Sequence, residues 1–345
     1  MVLEVDIMSN NLSDKKANIS VTANTCVRDY GQFVSSFTIC FDPECDISGI
    51  STKDFIFTKT AKHPIAGHES FGAWKVEKAD NSLTVFVDPF LYTDTYEGKA
   101  VLGDESISLS KADIAEMKVA VVDDFDAFTA ENGMVYRLLV PESDEPLPLV
   151  VAFHGNGERG TDNYKHMVNN RVITKWGEPQ SQARYKCIVL GPQCNDSWSD
   201  DELTEVRKII DRLIDEGKAD PKRIYAAGLA PFQVTLRFAV TNKDLLAGVL
   251  SMLFWKKYSP DMSSLKDLPI WFAIGENDST GESPYVKEIY QYFTEDLKNK
   301  NVKCTVFPVD EMESYGLYGQ MTHWGWIPAL NNPEICDWLF AQRKQ

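Results

Sequence analysis

Two hydrophobic rhythms divide this chain. From about Ala17 to Met117, apolar and polar positions alternate in short runs: Val34–Phe41, Phe55–Thr58, Ser70–Val76 and Ser82–Val87. Asp-Pro, Gly and Asn punctuate them. A period of two places successive side chains on opposite faces of a strand, so this region is expected to be an antiparallel β-sandwich. No segment in it sustains a 3.6-residue period. After about Phe125 the runs become continuously apolar: Leu149–Phe153, Cys187–Leu190, Ile224–Ala227, Gly248–Ser251, Ile270–Ile274 and Lys303–Phe307. Runs of that kind suit strands buried on both faces, and amphipathic helices separate them. Ser199 and Glu202 form an S-x-x-E capping box ahead of Leu203, Val206, Ile210, Leu213 and Ile214 on one helical face. Ser283-Pro284 and Asn332-Pro333 open two further helices. The expected fold class is α/β: a doubly wound, mostly parallel sheet over residues 123–345, preceded by a small all-β domain over residues 1–122.

Composition narrows the partners. Lys and Arg number 35 against 51 Asp and Glu, a net charge of −16. That balance repels phosphate backbones and anionic membrane surfaces, and no basic cluster offsets it, so neither nucleic acid nor membrane is expected as a partner. No stretch approaches the roughly 18 apolar residues of a membrane span. Met1–Lys16 has no apolar core of a leader peptide. The seven cysteines are scattered without C-x-x-C spacing, so free thiols and a cytoplasmic location are expected. His63 and His68 lie five residues apart with no cysteine pair nearby, a weak metal pattern, and no metal or other cofactor is expected.

Candidate chemistry gathers at strand ends in the second region. The run Leu149–Phe153 leads into His154-Gly155-Asn156-Gly157-Glu158-Arg159-Gly160. A glycine-rich turn after a strand lets backbone N–H groups approach a developing negative charge, and a plain turn looks the same in sequence. Asp278 stands just past Ile270–Ile274, and His323 follows Lys303–Phe307 and a polar loop. Of five histidines only His323 comes after Asp278, which is the acid-then-base order of a triad on a strand–helix sheet. His154 is expected to support its turn and His166 to lie on a helix surface. Trp198, Trp324 and Trp326 line a pocket or pack the core on this reading.

Several runs carry a resemblance. Pro148–Asn163 (PLVVAFHGNGERGTDN), Cys187–Asp200 (CIVLGPQCNDSWSD), Asp220–Gly228 (DPKRIYAAG) and His323–Leu339 (HWGWIPALNNPEICDWL) are similar to polyhydroxybutyrate-depolymerase-like and feruloyl-esterase-like α/β-hydrolases. Asp29–Phe55 resembles the immunoglobulin-like domain that precedes the esterase domain in one branch of that family. The resemblance implies an α/β-hydrolase fold and a carboxylic-ester hydrolase site. Its acid and base would be Asp278 and His323, its oxyanion donors would come from Gly155, Asn156 and residue 231, and Trp198 and Trp324 would line its pocket. A small ester or acyl molecule would be its ligand. Self-association through the β-domain stays open.

The nucleophile turn departs from that family. Where it reads G-L-S-M-G-G, this chain reads Gly228-Leu229-Ala230-Pro231-Phe232-Gln233. Ala230 has no hydroxyl to form an acyl-enzyme. Pro231 has no N–H for the oxyanion. Phe232 adds a side chain where a glycine allows the sharp turn. Two readings follow: a catalytically impaired homologue that keeps a ligand pocket, or an active carboxylesterase carrying a Ser-to-Ala change or using a displaced nucleophile. Ser251, Cys194 and Thr235 are the candidates for the displaced group.

Overall fold

The structure is a computed structural model in which residues 3–5, 17–60, 70–92, 95–102, 105–229, 234–253 and 261–344 are described. The turn Ala230–Gln233, and with it the expectation that His323 faces Ala230, lies outside the described residues, as do His63 and His68. The chain forms two compact units, Met1–Asp123 and Asp124–Gln345.

In the first unit the alternating runs are strands longer than the pattern predicts. Val34–Phe41 becomes Gly31–Cys40, Ser70–Val76 extends to Ser70–Ala79, and Ser82–Val87 extends to Ser82–Leu91. Ala17–Arg28 pairs antiparallel with Gly31–Cys40, which pairs in turn with Ser82–Leu91. Phe55–Thr60 pairs with both Ser70–Ala79 and Thr95–Leu102. Glu116–Ala120 runs parallel to Ala17–Arg28. Ile19, Val21, Val34, Phe37, Ile39, Phe57, Leu83 and Val85 form the core. The rings of Phe37 and Phe57 stack at 5.4 Å although their strands are not sheet neighbours, so the sheet folds back over its apolar face.

The second unit holds one sheet. Among the described residues its strands are β1 (Asp126–Thr129), β2 (Val135–Leu139), β3 (Leu147–Phe153), β4 (Ile188–Gln193), β5 (Ala219–Leu229), β6 (Gly248–Met252), β7 (Ile270–Gly275) and β8 (Val302–Phe307). Their order is β1-β2-β4-β3-β5-β6-β7-β8. β1 and β2 pair antiparallel, as do β2 and β4, and every later pairing is parallel. Every residue of β3, β4, β6 and β7 is buried, which is why their sequences are apolar runs without alternation.

Helices bridge the parallel strands as the sequence predicts. α1 (Asp200–Asp215) begins at the Ser199/Glu202 capping box and buries Leu203, Val206, Ile210 and Leu213. α2 (Val234–Thr241) lies between β5 and β6 in the chain. α3 (Ser283–Gln291) continues as a wider turn over Tyr292–Asp296. α4 (Trp326–Asn331) and α5 (Pro333–Ala341) close the chain, and the Asn332 side chain caps α5 by accepting from Glu334 N at 2.9 Å.

The site is positioned where β3 changes the direction of winding. β3 has β4 on one side and β5 on the other, and the chain builds outward both ways from it. Open parallel sheets bind ligands in the crevice beyond the carboxyl ends of the strands at such a switch point. The glycine-rich turn leaves the sheet at the end of β3, and β5 ends beside it at Leu229. The two strands meet closely at that end. A Cβ on Gly228 would sit 2.5 Å from the Phe153 carbonyl oxygen, a contact that only glycine avoids.

Candidate active site

The glycine-rich turn is held from beneath by a neutral histidine. His154 is fully buried; its Nδ1–H donates to Gly155 O at 2.6 Å, and its Nε2 accepts from Cys194 N at 3.0 Å. A carbonyl on one nitrogen and an N–H on the other fix the tautomer and leave no room for a second proton. Burial drives its pKa down to about 4. His154 thus supports its turn, as expected. Gly155 is buried and follows an extended path into the 3₁₀ turn Asn156–Glu158, while Asn156 is exposed. A Cβ on Gly155 would lie 2.9 Å from Glu158 Oε2 and 3.0 Å from Leu229 Cδ1. The turn therefore touches the residue that immediately precedes Ala230.

Glu158 is a feature the sequence reading missed. It is buried beside Gly155, and burial raises its pKa, with the Gly155 backbone N–H and Asn170 working the other way. A carboxyl so placed competes for the Gly155 N–H, which leaves the exposed Asn156 as the freer donor of this turn.

The acid and base are brought together. His323 Nδ1 and Asp278 Oδ2 are 2.9 Å apart. Asp278 comes from the turn after β7 and His323 from the end of the 3₁₀ segment Gly319–His323. Further bonds lace these loops: Thr322 Oγ1 donates to Asn277 O at 2.9 Å and Ser279 Oγ to Gln320 O at 3.0 Å. The docking needs a bare backbone at the strand end, because a Cβ on Gly275 would lie 3.0 Å from Thr322 O. The second Asp278 oxygen accepts from Thr280 N at 2.9 Å and from the Thr280 hydroxyl.

Electrostatics follow from that geometry. The Asp278 side chain is wholly buried and that of His323 is 31% exposed. Burial works against charge on Asp278, yet the His323 and Thr280 hydrogen bonds outweigh it and hold the carboxyl below its ordinary range. Burial likewise opposes a proton on His323, and the Asp278 hydrogen bond with the charges of Asp278 and Glu282 raises its pKa overall. Asp278, Glu282 and His323 offer ligand-type atoms within 4.8 Å of one another. The direct bond between Asp278 and His323 already commits that pair to sharing a proton, and no metal is assigned to them.

Other expected residues stand elsewhere. Trp198 is 2% exposed and packs edge-on against Phe153 at 5.1 Å and beside His154 at 5.0 Å, so it belongs to the core under the turn and not to an open pocket. Trp324 is partly exposed next to His323, 5.8 Å from Trp326, whose ring stands edge-on to His323 at 6.3 Å. His166 is fully buried, contrary to expectation, because its helical turn presses on β4, where its Nε2 donates to Gly191 O at 3.1 Å. The displaced-nucleophile candidates are sealed in. Ser251 and Thr235 are buried and hydrogen-bonded to each other at 3.3 Å, and burial pushes the Cys194 thiol up to about 12. A polar cavity of about 360 Å³ lies at Asn132, Gln193, Asn195 and Glu202. Its carboxylates are engaged within the chain: Glu202 caps α1, Asp201 accepts from Asn132 at 3.0 Å and Asp196 pairs with Arg159 at 3.2 Å.

The strand order, with antiparallel entry strands on a mostly parallel sheet, fits an α/β-hydrolase fold, and the bonded pair Asp278 and His323 lies on loops at one edge of it. Among solved structures, a thermostable esterase is similar to this chain with a TM-score of 0.77 and 26% identity, over 94% of this chain and 100% of that one. Esterase Est22 is similar over 53% of this chain and 70% of its own, at 16% identity and a TM-score of 0.38. An esterase of Pyrobaculum calidifontis is similar over 53% of this chain and 75% of its own, at 12% identity and a TM-score of 0.37. No protein-family model and no curated protein matches the chain. No helix among the described residues is long and apolar enough to cross a membrane.

Proposed function

We propose that this protein is a serine-esterase-type α/β-hydrolase homologue whose nucleophile position is Ala230, impaired in turnover but retaining a pocket for a small ester or acyl ligand. The observation that carries the reading is the 2.9 Å bond between His323 Nδ1 and Asp278 Oδ2, at the carboxyl edge of a sheet with hydrolase strand order. The similarity to a thermostable esterase over nearly the whole chain supports it. In this reading His323 is the base, Asp278 orients it, Asn156 and Gly155 flank the oxyanion position, and Trp324 lines the pocket. No cofactor takes part. The N-terminal unit is assigned as an immunoglobulin-like module, a surface open to self-association, and the compartment as cytoplasmic.

Repair of the nucleophile turn tests the proposal. Ala230→Ser restores a hydroxyl but not the N–H missing at Pro231, and one lost oxyanion donor costs about 10²–10³ in rate. Short p-nitrophenyl esters and a fluorophosphonate probe should therefore report weak turnover and slow labelling in the single variant. Clear gains are expected only when Pro231 and Phe232 are also replaced by Met and Gly. Ordinary esterase rates from Ala230→Ser alone would establish the other reading, in which Ala230 is the sole lesion of a working carboxylesterase.

A further inference from the structure

We propose that Glu282 is a second carboxylate partner of His323, a positioning residue that shares with Asp278 the task of holding the imidazole and its proton. The inference deepens the acid–base reading above and rests on it. Glu282 lies four residues past Asp278 and is 9% exposed. It directly precedes α3, and its carbonyl accepts from Tyr285 N at 3.0 Å and Val286 N at 3.3 Å, so its backbone is fixed by the first turn of that helix. Its carboxylate comes within 4.8 Å of both the imidazole and the Asp278 carboxylate. Asp278 has one oxygen on His323 and the other on Thr280, which fixes it as an orienting group.

Among the described residues the charged groups acting on His323 are Asp278 and Glu282, both from the segment after β7. Its uncharged neighbours are the Thr280 hydroxyl at 3.4 Å and the edge of the Trp326 ring on α4. Two carboxylates this close favour an imidazolium over a neutral ring. Glu282 therefore favours the protonated ring through its charge. A base must shed its proton before accepting one, so Glu282 moves the range in which His323 serves as a base toward higher pH. Loss of Asp278 alone does not return the ring to its ordinary behaviour, because the second carboxylate remains.

The test titrates His323 by NMR in the full-length, histidine-labelled protein, with His323→Gln identifying its resonance. His154 and His166, neutral throughout the neutral range, report whether the fold is kept. Glu282→Gln should lower the His323 midpoint, Asp278→Asn should lower it further, and the double variant should lie lowest. Glu282→Asp, which withdraws the carboxylate by one methylene, should fall between Glu282→Gln and the unaltered protein. An unmoved midpoint in Glu282→Gln with the reporters intact overturns the assignment, as does an Asp278→Asn midpoint equal to that of the double variant. Should Glu282→Gln not fold, Glu282→Asp decides, and an unmoved midpoint there is again a refutation. The readout needs no turnover. Ordinary esterase rates in Ala230→Ser refute the functional proposal alone, and an unmoved midpoint refutes the Glu282 assignment alone.

Discussion

The two sides of the candidate site use histidine in opposite ways. Beside β3 and β4, His154 and His166 are fully buried with rings 6.1 Å apart, and burial drives their pKa values down to about 4 and about 3. Beside β7 and β8, His323 is partly open to solvent and bonded to a carboxylate, and its pKa is raised. Burial opposes the proton on all three, so desolvation alone does not separate them. A carboxylate bonded to the ring does, since Asp162 acts on His154 and His166 only through its charge. His154 faces a carbonyl and a backbone N–H, whereas His323 faces Asp278 and Glu282. One side of the site keeps its histidines neutral and the other gives its histidine a carboxylate that holds the proton.

The largest effect expected from this contrast is acid instability of the second unit. An unfolded histidine binds its proton near pH 6.5, whereas His154 and His166 resist until about 4 and about 3. The unfolded state binds more protons below pH 6.5, so this stability is complete above that pH and is lost as pH falls. The loss is about 1.4 kcal/mol per pH unit for each histidine, or roughly 4–5 kcal/mol together by pH 4.5. The Asp278–His323 pair has two other windows. His323, with a raised pKa, contributes stability below about pH 6.5 that disappears as pH rises through its own midpoint. Asp278, with a lowered pKa, contributes above about pH 3.9 and loses its share as pH falls through its own midpoint. Urea denaturation at stepped pH measures the sum, and flat stability between pH 6.5 and 4.5 would break the contrast.

Next in size is Gly228→Ala. The added methyl meets the Phe153 carbonyl, which is strand backbone and cannot swing aside. A loss of about 3 kcal/mol is expected in thermal or urea unfolding. A cost below 1 kcal/mol would mean that β3 and β5 can part at this end. Asp278→Asn follows, at about 2 kcal/mol for the charge-assisted bond it weakens. On this side the loss should come with a lower His323 midpoint, which separates it from plain core damage. The smallest is Thr280→Val, about 1 kcal/mol for the hydroxyl bond to Asp278. A larger shift of the His323 midpoint here than in Asp278→Asn would show that Thr280 controls the ring more than the acid does.

The fold was legible where burial leaves a linear trace. β3 is apolar throughout because it is buried throughout, and the Ser199/Glu202 box announces α1 by local chemistry. β5 runs from Ala219, five residues ahead of its apolar stretch, because Leu147 pairs with Ala219 across Asp220, Pro221 and Lys222, which carry no apolar signal. β1 escaped notice because every residue in it is exposed. At the site, Asp278 and His323 could be picked out by chain order and by their places after successive strands. Glu158 and Glu282 could not, since nothing in a sequence marks which acidic residues become buried beside a glycine turn or a histidine. His166 was misplaced for a related reason, since a polar turn conceals the strand it is pressed against; for Trp198 the choice between pocket and core stayed open, because an indole before a helix looks the same whether it lines a pocket or supports one.

The lacing of Asn277–Thr280 to Gln320–His323 also has a consequence for inheritance. Asp278 and His323 form a strut between two loops that close over the end of β7, with Thr322 and Ser279 as secondary ties. On the proposed reading, a serine at position 230 would serve the chemistry alone. Once selection for hydrolysis is relaxed, the hydroxyl can be lost freely, whereas the acid and the base stay under selection simply because the chain must fold. If the proposed reading holds, an acid–base pair tied into the fold can outlive the reaction, and a lineage that has ceased turnover would still carry Asp278 and His323 in register.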